Sequence, residues 1–204
     1  GCSDVCLVSS GQLGMPASYN ARLWKTLLYK IDEGLFNRML GEEISDFEVR
    51  VRSMAPDKIP AVRLDGTSDQ GFGGTFAPHH TGVQFYDYTK GSQRFFKGRP
   101  PNWHLTFSFS GYNEAEAHAV LQAGGNVAVA FAVRKGTKLR APGRLPETWL
   151  GFPVLDADAT DVRFQDPPGH VAGLRLKYSA GGFARSVVKG GPFVVRPHPQ
   201  WSRI

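Results

Sequence analysis

Acidic side chains gather in this 204-residue chain where apolar runs stop, and that is where its residue types could do chemistry. The densest group is Asp156-Ala157-Asp158-Ala159-Thr160-Asp161, continued by Arg163 and Asp166. If the segment prolongs a strand, Asp156 and Asp158 project to one side and Asp161 can turn back over the same mouth. Carboxylates paired in this way can bind a divalent cation, or one of them can act as a general base with a raised pKa. A turn closed by Asx hydrogen bonds uses the same residues equally well. A calcium loop is matched only in part, since its Gly and its distal Glu are missing. Asp69 and Asp87 close two other runs, and they join Asp156 and Asp161 in one catalytic group only if their strands are neighbours. Arg63 and Lys90 would then supply positive partners. His104 shares a strand face with Thr106 and Ser108 by alternation, either as a fifth catalytic group or as a core histidine with one satisfied hydrogen bond. Ser68, Tyr86, Thr106, Asn126 and Arg163 complete the polar side chains assigned to a substrate pocket, together with Arg22 and Lys25 from an early helix.

The elements that must position these groups are six β-branched and aromatic runs: Ala61–Asp65, Val83–Tyr88, Trp103–Phe109, Asn126–Val133, Phe152–Leu155 and Val171–Lys177. Continuous apolar runs fit strands of a buried parallel sheet, and such sheets carry binding and catalytic groups at the strand carboxyl ends. A helix is predicted over Glu114–Ala123, with Asn113 as N-cap, Glu116 at the capping-box position and Gly124-Gly125 as terminator. Strand, helix, Gly turn and strand make a βαβ unit with parallel pairing. Near the start, Leu23, Trp24, Leu27, Leu28 and Ile31 follow helical spacing, and so do Phe36, Met39, Leu40 and Ile44, with a break at Gly34 and a cap at Ser18 or Asn20. Other connections are too short for full helices, and a complete eight-fold barrel needs about 250 residues. The expected fold is therefore α/β, a reduced or partial (β/α) barrel with a mainly parallel sheet. It is read as one domain: a Cys-containing helical segment over 1–50, a strand-rich core over 58–178 and a tail over 179–204, in which Phe193–Arg196 forms an edge strand.

A chain of this length buries roughly 70% of its unfolded surface without staples. No run is long enough to span a bilayer, so the expectation is a cytoplasmic protein with no membrane partner. The net charge of +6 favours an anionic partner, nucleic acid or a nucleotide first. Lys90, Arg94, Lys97 and Arg99 fall close together around Phe95 and Phe96, and Arg134, Lys135, Lys138, Arg140 and Arg144 form a second group. Basic and aromatic side chains on one loop can hold phosphates and stack on bases. Cys2 and Cys6 are too close for a structural disulfide, and a metal role or a reducing compartment fits them better. The P-loop, the dinucleotide fingerprint, the Ser elbow and the zinc-protease motif are missing, and Gly71-Phe72-Gly73-Gly74 is a weak phosphate loop.

Short strings along almost the whole chain resemble the mycobacteriophage gene product eighty-eight family and its relatives in phages and plasmids. They are Cys2-x3-Cys6, Ala21-Arg22-x2-Lys25-Thr26, Val62–Asp69, Phe85–Lys90, Asn102-x-His104-Leu105-Thr106, Gly124–Val129 and Asp156-x-Asp158-Ala159-Thr160-Asp161. The resemblance implies a mobile-element origin in a phage or plasmid host. It also implies a shortened radical S-adenosylmethionine barrel, whose three N-terminal cysteines hold an iron–sulfur cluster; here Cys2 and Cys6 stand as two such ligands. The leading expectation is an accessory protein that acts on or binds nucleic acid through a basic surface and a polar strand-end pocket. The alternatives are a metal- or iron–sulfur-dependent enzyme on a small molecule or nucleotide, and a non-catalytic binding protein with a degenerate barrel.

Overall fold

The computed structural model describes residues 15–136, 141–177 and 182–198, and within them the protein is a mixed α/β structure on a mainly parallel sheet. Helices α1 (Pro16–Ile31) and α2 (Glu33–Met54) precede β1 (Ala61–Val62) and the short α3 (Phe72–Phe76). Next come β2 (Gln84–Thr89), the single turn α4 (Gln93–Phe96), β3 (Trp103–Ser108), α5 (Glu114–Gln122) and β4 (Asn126–Arg134). The chain continues through β5 (Thr148–Trp149), β6 (Phe152–Asp156), β7 (Val171–Leu176), α6 (Phe183–Gly190) and β8 (Val194–Val195). The strand order among the described residues is β1-β2-β3-β4-β7-β6-β5, an open path with two ends rather than a closed ring.

Parallel pairs join β1 to β2, β3 to β4, β4 to β7, β4 to β8 and β6 to β7, and the β5–β6 pair is antiparallel. β3 lies beside β4 at Asn126–Ala128, and β8 lies beside β4 at Ala130 and Phe131. Because β7 occupies the other side of β4, β8 takes up the line that β3 leaves at Ser108.

Contacts divide the chain into two compact units. A helical unit holds the described part of Leu7–Asp87 with Arg99–His104, and a sheet unit holds Tyr88–Gly98 and the described part of Leu105–Ile204. In the sheet unit, Phe107, Phe109, Val127, Val129, Phe131 and Val171 pack under α5 through Ala117, Val120 and Leu121. The opposite face carries small residues, Ala128, Ala157 and Ala172, with Tyr88, Leu155 and Leu174 against them. In the helical unit, the rings of Tyr29, Phe36 and Phe72 meet at 5.3–5.7 Å, joining α1, α2 and α3.

Several boundaries differ from the sequence reading for local reasons. α1 starts at Pro16, whose fixed φ and missing N–H suit the first helical position, so Ser18 and Asn20 lie inside the helix. The break falls at Asp32 rather than Gly34, because the Asp32 N–H donates to the Leu28 carbonyl while its Oδ1 accepts from Leu35 N. Asn113 makes no side-chain cap to α5; it accepts from Ser110 N and donates to the Ser108 carbonyl, and Gly124 at φ +79° ends the helix. The run from Ala61 yields only two paired residues before the backbone turns at Asp65. Of the Phe193–Arg196 run, Val194 and Val195 form the short strand β8, which among the described residues pairs on one side, with β4. Unforeseen altogether is the β5–β6 hairpin, turned by Leu150 (φ 51°) and Gly151 (φ 81°). Two positive φ values mark a primed turn, which normally selects Asn or Gly first, and Leu gives no such signal. Among the described residues no helix is long and apolar enough to cross a membrane.

Candidate functional site

Two carboxylate sites stand at the ends of strands, one in each unit. In the helical unit the Asp65 carboxylate accepts from Ser68 Oγ (2.6 Å) and from the backbone N–H groups of Gln70, Gly71 and Phe72. The loop after β1 thus closes on the charge of Asp65, which is buried. The Asp65 N–H in turn donates to Asp87 Oδ1 at 2.9 Å, and Trp103 Nε1 donates to Asp87 Oδ2 at 3.0 Å. Burial pushes the Asp87 carboxyl up to about 6, against the lowering effect of these donors and of the Arg63 charge. The Gly-rich string has a steric explanation here. A Cβ on Gly73 would lie 2.3 Å from Trp103 Nε1 and 2.5 Å from Asp87 Oδ2, and one on Gly74 would lie 2.5 Å from the Trp103 ring. The glycines make room for the Trp103–Asp87 contact.

The acidic segment of the sheet unit is organised by a cation. Arg175 Nη1 donates to Asp156 Oδ1 (2.7 Å) and Asp158 Oδ2 (3.2 Å), and its Nε donates to the Gly143 carbonyl. The Arg175 backbone N–H also reaches Asp158 Oδ2, and Lys135 Nζ stands 3.7 Å from Asp158 Oδ1. The Arg175 hydrogen bond holds the Asp156 carboxyl below its ordinary value, and Asp156 raises Arg175 reciprocally. Asp161 accepts from Tyr88 Oη at 3.4 Å. Arg163 is buried, paired with Asp166 at 3.1 Å and bonded to the Thr160 carbonyl. The Asx-turn reading is present as well, since Asp158 N donates to Asp156 Oδ1.

The remaining sequence-selected residues scatter in character. Asp69 and Ser68 are exposed on the loop whose turn is held by Asp65, while Lys25 and Lys90 are exposed and Arg22, Arg63, Tyr86 and His104 are half-buried. Thr106 and Asn126 are buried cross-strand neighbours. Asn126 Oδ1 accepts from His170 N, whereas Thr106 Oγ1 is buried with no hydrogen-bond partner. Cys2 and Cys6 lie outside the described residues. Within the described residues no group of three or more His, Cys, Asp or Glu side chains is placed to hold a metal ion.

Sequence reasoning missed two features. Asp65 ties the β1 loop to Asp87, and its only signal was the Asp-Gly-Thr-Ser-Asp string that suggests a turn. The sheet unit also holds an open groove of about 690 Å³ lined by Phe109, Trp149, Leu150, Pro192, Val194 and Arg196, with Glu114 at the start of α5. One wall of it depends on Gly111 at φ +92°, where a Cβ would meet the Pro192 carbonyl carbon at 2.5 Å. Its volume falls within the usual range of small-molecule sites. No string in the sequence links Phe109 to Arg196, because β8 brings them together only after folding.

A family model described as Gene product 88 matches residues 1–189. No curated protein and no solved structure matches the chain.

Proposed function

The chain belongs to the Gene product 88 family, and from that membership we propose a phage or plasmid accessory protein that binds nucleic acid in the host cytoplasm through the β2–β3 connection. The observation that carries this reading is the pose of Phe95 and Phe96. Phe95 turns inward and meets the Phe107 ring edge-on at 5.9 Å, while Phe96 is 59% exposed. Arg94 Nη1 and the Gly91 N–H both donate to Thr89 Oγ1, which pins the loop to the end of β2. Lys90 and Lys97 are exposed on either side. An exposed aromatic ring on a loop that carries cations offers a base a stacking surface and its phosphates a counter-charge, which suits a single strand better than a stacked duplex. The net charge of +6 adds long-range attraction.

The test is fluorescence anisotropy with labelled single-stranded DNA and RNA at about 50 and about 200 mM salt. Wild type binds and weakens steeply with salt. Phe96→Ala loses about 10-fold in affinity, the low end of the stacking energy of about 1–3 kcal/mol per base. Replacing Lys90 and Lys97 together by Ala flattens the logarithmic salt slope by about 1.4, from two single-strand phosphate contacts. Absence of binding to either nucleic acid at low salt removes the proposal.

A second reading, action on or binding of a small molecule or nucleotide, is favoured by the groove beside Trp149. Calorimetric titration with mononucleotides tests it, and Trp149→Ala should abolish any heat that the wild type gives. An iron–sulfur or divalent-metal enzyme remains a proposal that metal analysis of anaerobically prepared protein decides; no step is routed through such a group.

A further inference from the structure

α1 is turned inside out. Its apolar positions Tyr19, Leu23, Trp24, Leu27 and Ile31 fall within an arc of about 140° on a helical projection. All five are exposed, Trp24 at 70% and Ile31 at 82%. The sheltered side is a mixed one: Ser18 and Arg22 are half-buried on either side of Tyr29, and Arg22 Nη1 is buried without a hydrogen-bond partner. Of the large apolar side chains on α1 only Leu28 and Tyr29 are half-buried, and no residue of the helix is fully buried. An amphipathic helix of a self-sufficient unit does the reverse, because its apolar stripe is what the fold gains by burying. Contiguous apolar surface of this extent marks an interaction site.

α2 presents a surface of matching chemistry. Leu35, Met39 and Val49 are exposed, and Glu42, Glu43, Asp46 and Arg50 are exposed within the same arc of about 120°. Lys30 is the cation within the apolar arc of α1, which holds no carboxylate, whereas three carboxylates and one arginine fall within that of α2. We infer that these two faces receive a second copy of the chain, α1 of each copy packing against α2 of the other in a two-fold arrangement. An isologous contact of that kind needs one surface that complements itself. Packing α1 on α1 would oppose cation to cation, while α1 on α2 pairs opposite signs around apolar stripes. Taking a fully exposed large side chain at about 200 Å², the exposed apolar residues of both helices offer roughly 700–900 Å² per copy, close to what each partner gives a stable interface. An anionic bilayer would attract α1 but repel the carboxylates of α2, so a second copy is the better fit.

Sedimentation velocity and light scattering on the full chain, from about 1 to about 100 μM, test this. The wild type sediments as a dimer at the upper concentrations. Trp24→Glu combined with Ile31→Glu raises the dimer dissociation constant by at least ~100-fold with an unchanged far-ultraviolet dichroism spectrum, since neither side chain supports the interior. Lys30→Glu weakens the dimer and Glu43→Lys, added to it, restores association, which a purely hydrophobic contact would not do. A wild type that stays monomeric throughout overturns the inference, as does a dimer that survives the double glutamate variant. Co-sedimentation of a monomeric wild type with phosphatidylglycerol vesicles would assign the face to lipid instead.

Discussion

Asp65 and Asp87 in the helical unit receive N–H and O–H donors from a loop, a backbone and an indole, whereas Asp156 and Asp158 in the sheet unit share one guanidinium. All four lie at or just beyond strands, and all four belong to strings dense in acidic and hydroxyl residues. Their electrostatics nevertheless run in opposite directions: burial raises the Asp87 carboxyl to about 6, and Arg175 lowers that of Asp156. Acidic density in a sequence therefore does not tell a carboxylate held by N–H donors from one paired with a cation. What decides is whether carboxylate lone pairs remain unspent, and Asp65 spends both oxygens on four donors. The first site is held by packing and hydrogen bonds, the second by a buried cation.

Gly73→Ala should break the first site with the largest effect. The new Cβ would overlap both partners of the Trp103–Asp87 hydrogen bond. Overpacking costs about 1–3 kcal/mol and loss of a hydrogen bond to a charged group about 1.5–3, so a destabilisation of about 3–5 kcal/mol is expected in urea unfolding. Gly98→Ala, whose Cβ meets nothing within 4 Å, is the control and should stay within about 0.5 kcal/mol. A Gly73→Ala variant as stable as that control would mean the glycines have another purpose.

Arg175→Met should break the second site by less. It strands Asp158, which is nearly buried, but Asp156 is half-exposed and can be rehydrated. Removing one partner of a fully buried pair costs about 3–5 kcal/mol, so about 2–4 is expected here. Arg175→Lys keeps the charge but lacks the planar fork that meets both carboxylates and the Gly143 carbonyl, and it should fall between the two. If Met and Lys are equally tolerated, the aspartates are held by their turn and not by the cation.

How far the sequence could be read follows from the same physics. Strands of a parallel sheet leave near-continuous apolar runs, so five of the six runs appear as strands within a residue or two, and the first pairs over only two residues. The β3–α5–β4 unit was legible because Gly124-Gly125 stops a helix locally. Periodicity also identified the apolar stripe of α1, yet it reports that a helix has a face and not which way the face points. The Asp65 hub, the Gly73–Trp103 approach and the alignment of β8 with β3 each depend on residues tens of positions apart. The Leu150-Gly151 turn was hidden for the opposite reason, since Leu150 occupies a conformation that its residue type disfavours and is retained there by packing on the core.

The sharpest separation of the two sites is in pH dependence. Asp87 titrates at about 6 in the folded protein against 3.8 in an ordinary environment. Between those values the native state holds a proton that the unfolded chain has released, so stability falls as pH rises from about 4 to about 6 and is level above that. The steepest part of this fall is about 1 kcal/mol per pH unit. Asp156 works with the opposite sign: its contribution is complete above the ordinary carboxylate value and is lost as pH drops through its depressed folded value. Asp87→Asn should therefore flatten the urea midpoint between about pH 4 and about pH 6 while leaving the acid loss in place, and Arg175→Met should do the converse. One substitution that flattened both regions would show that the two sites titrate as a coupled system, and the contrast between a packed carboxylate and a paired one would fail.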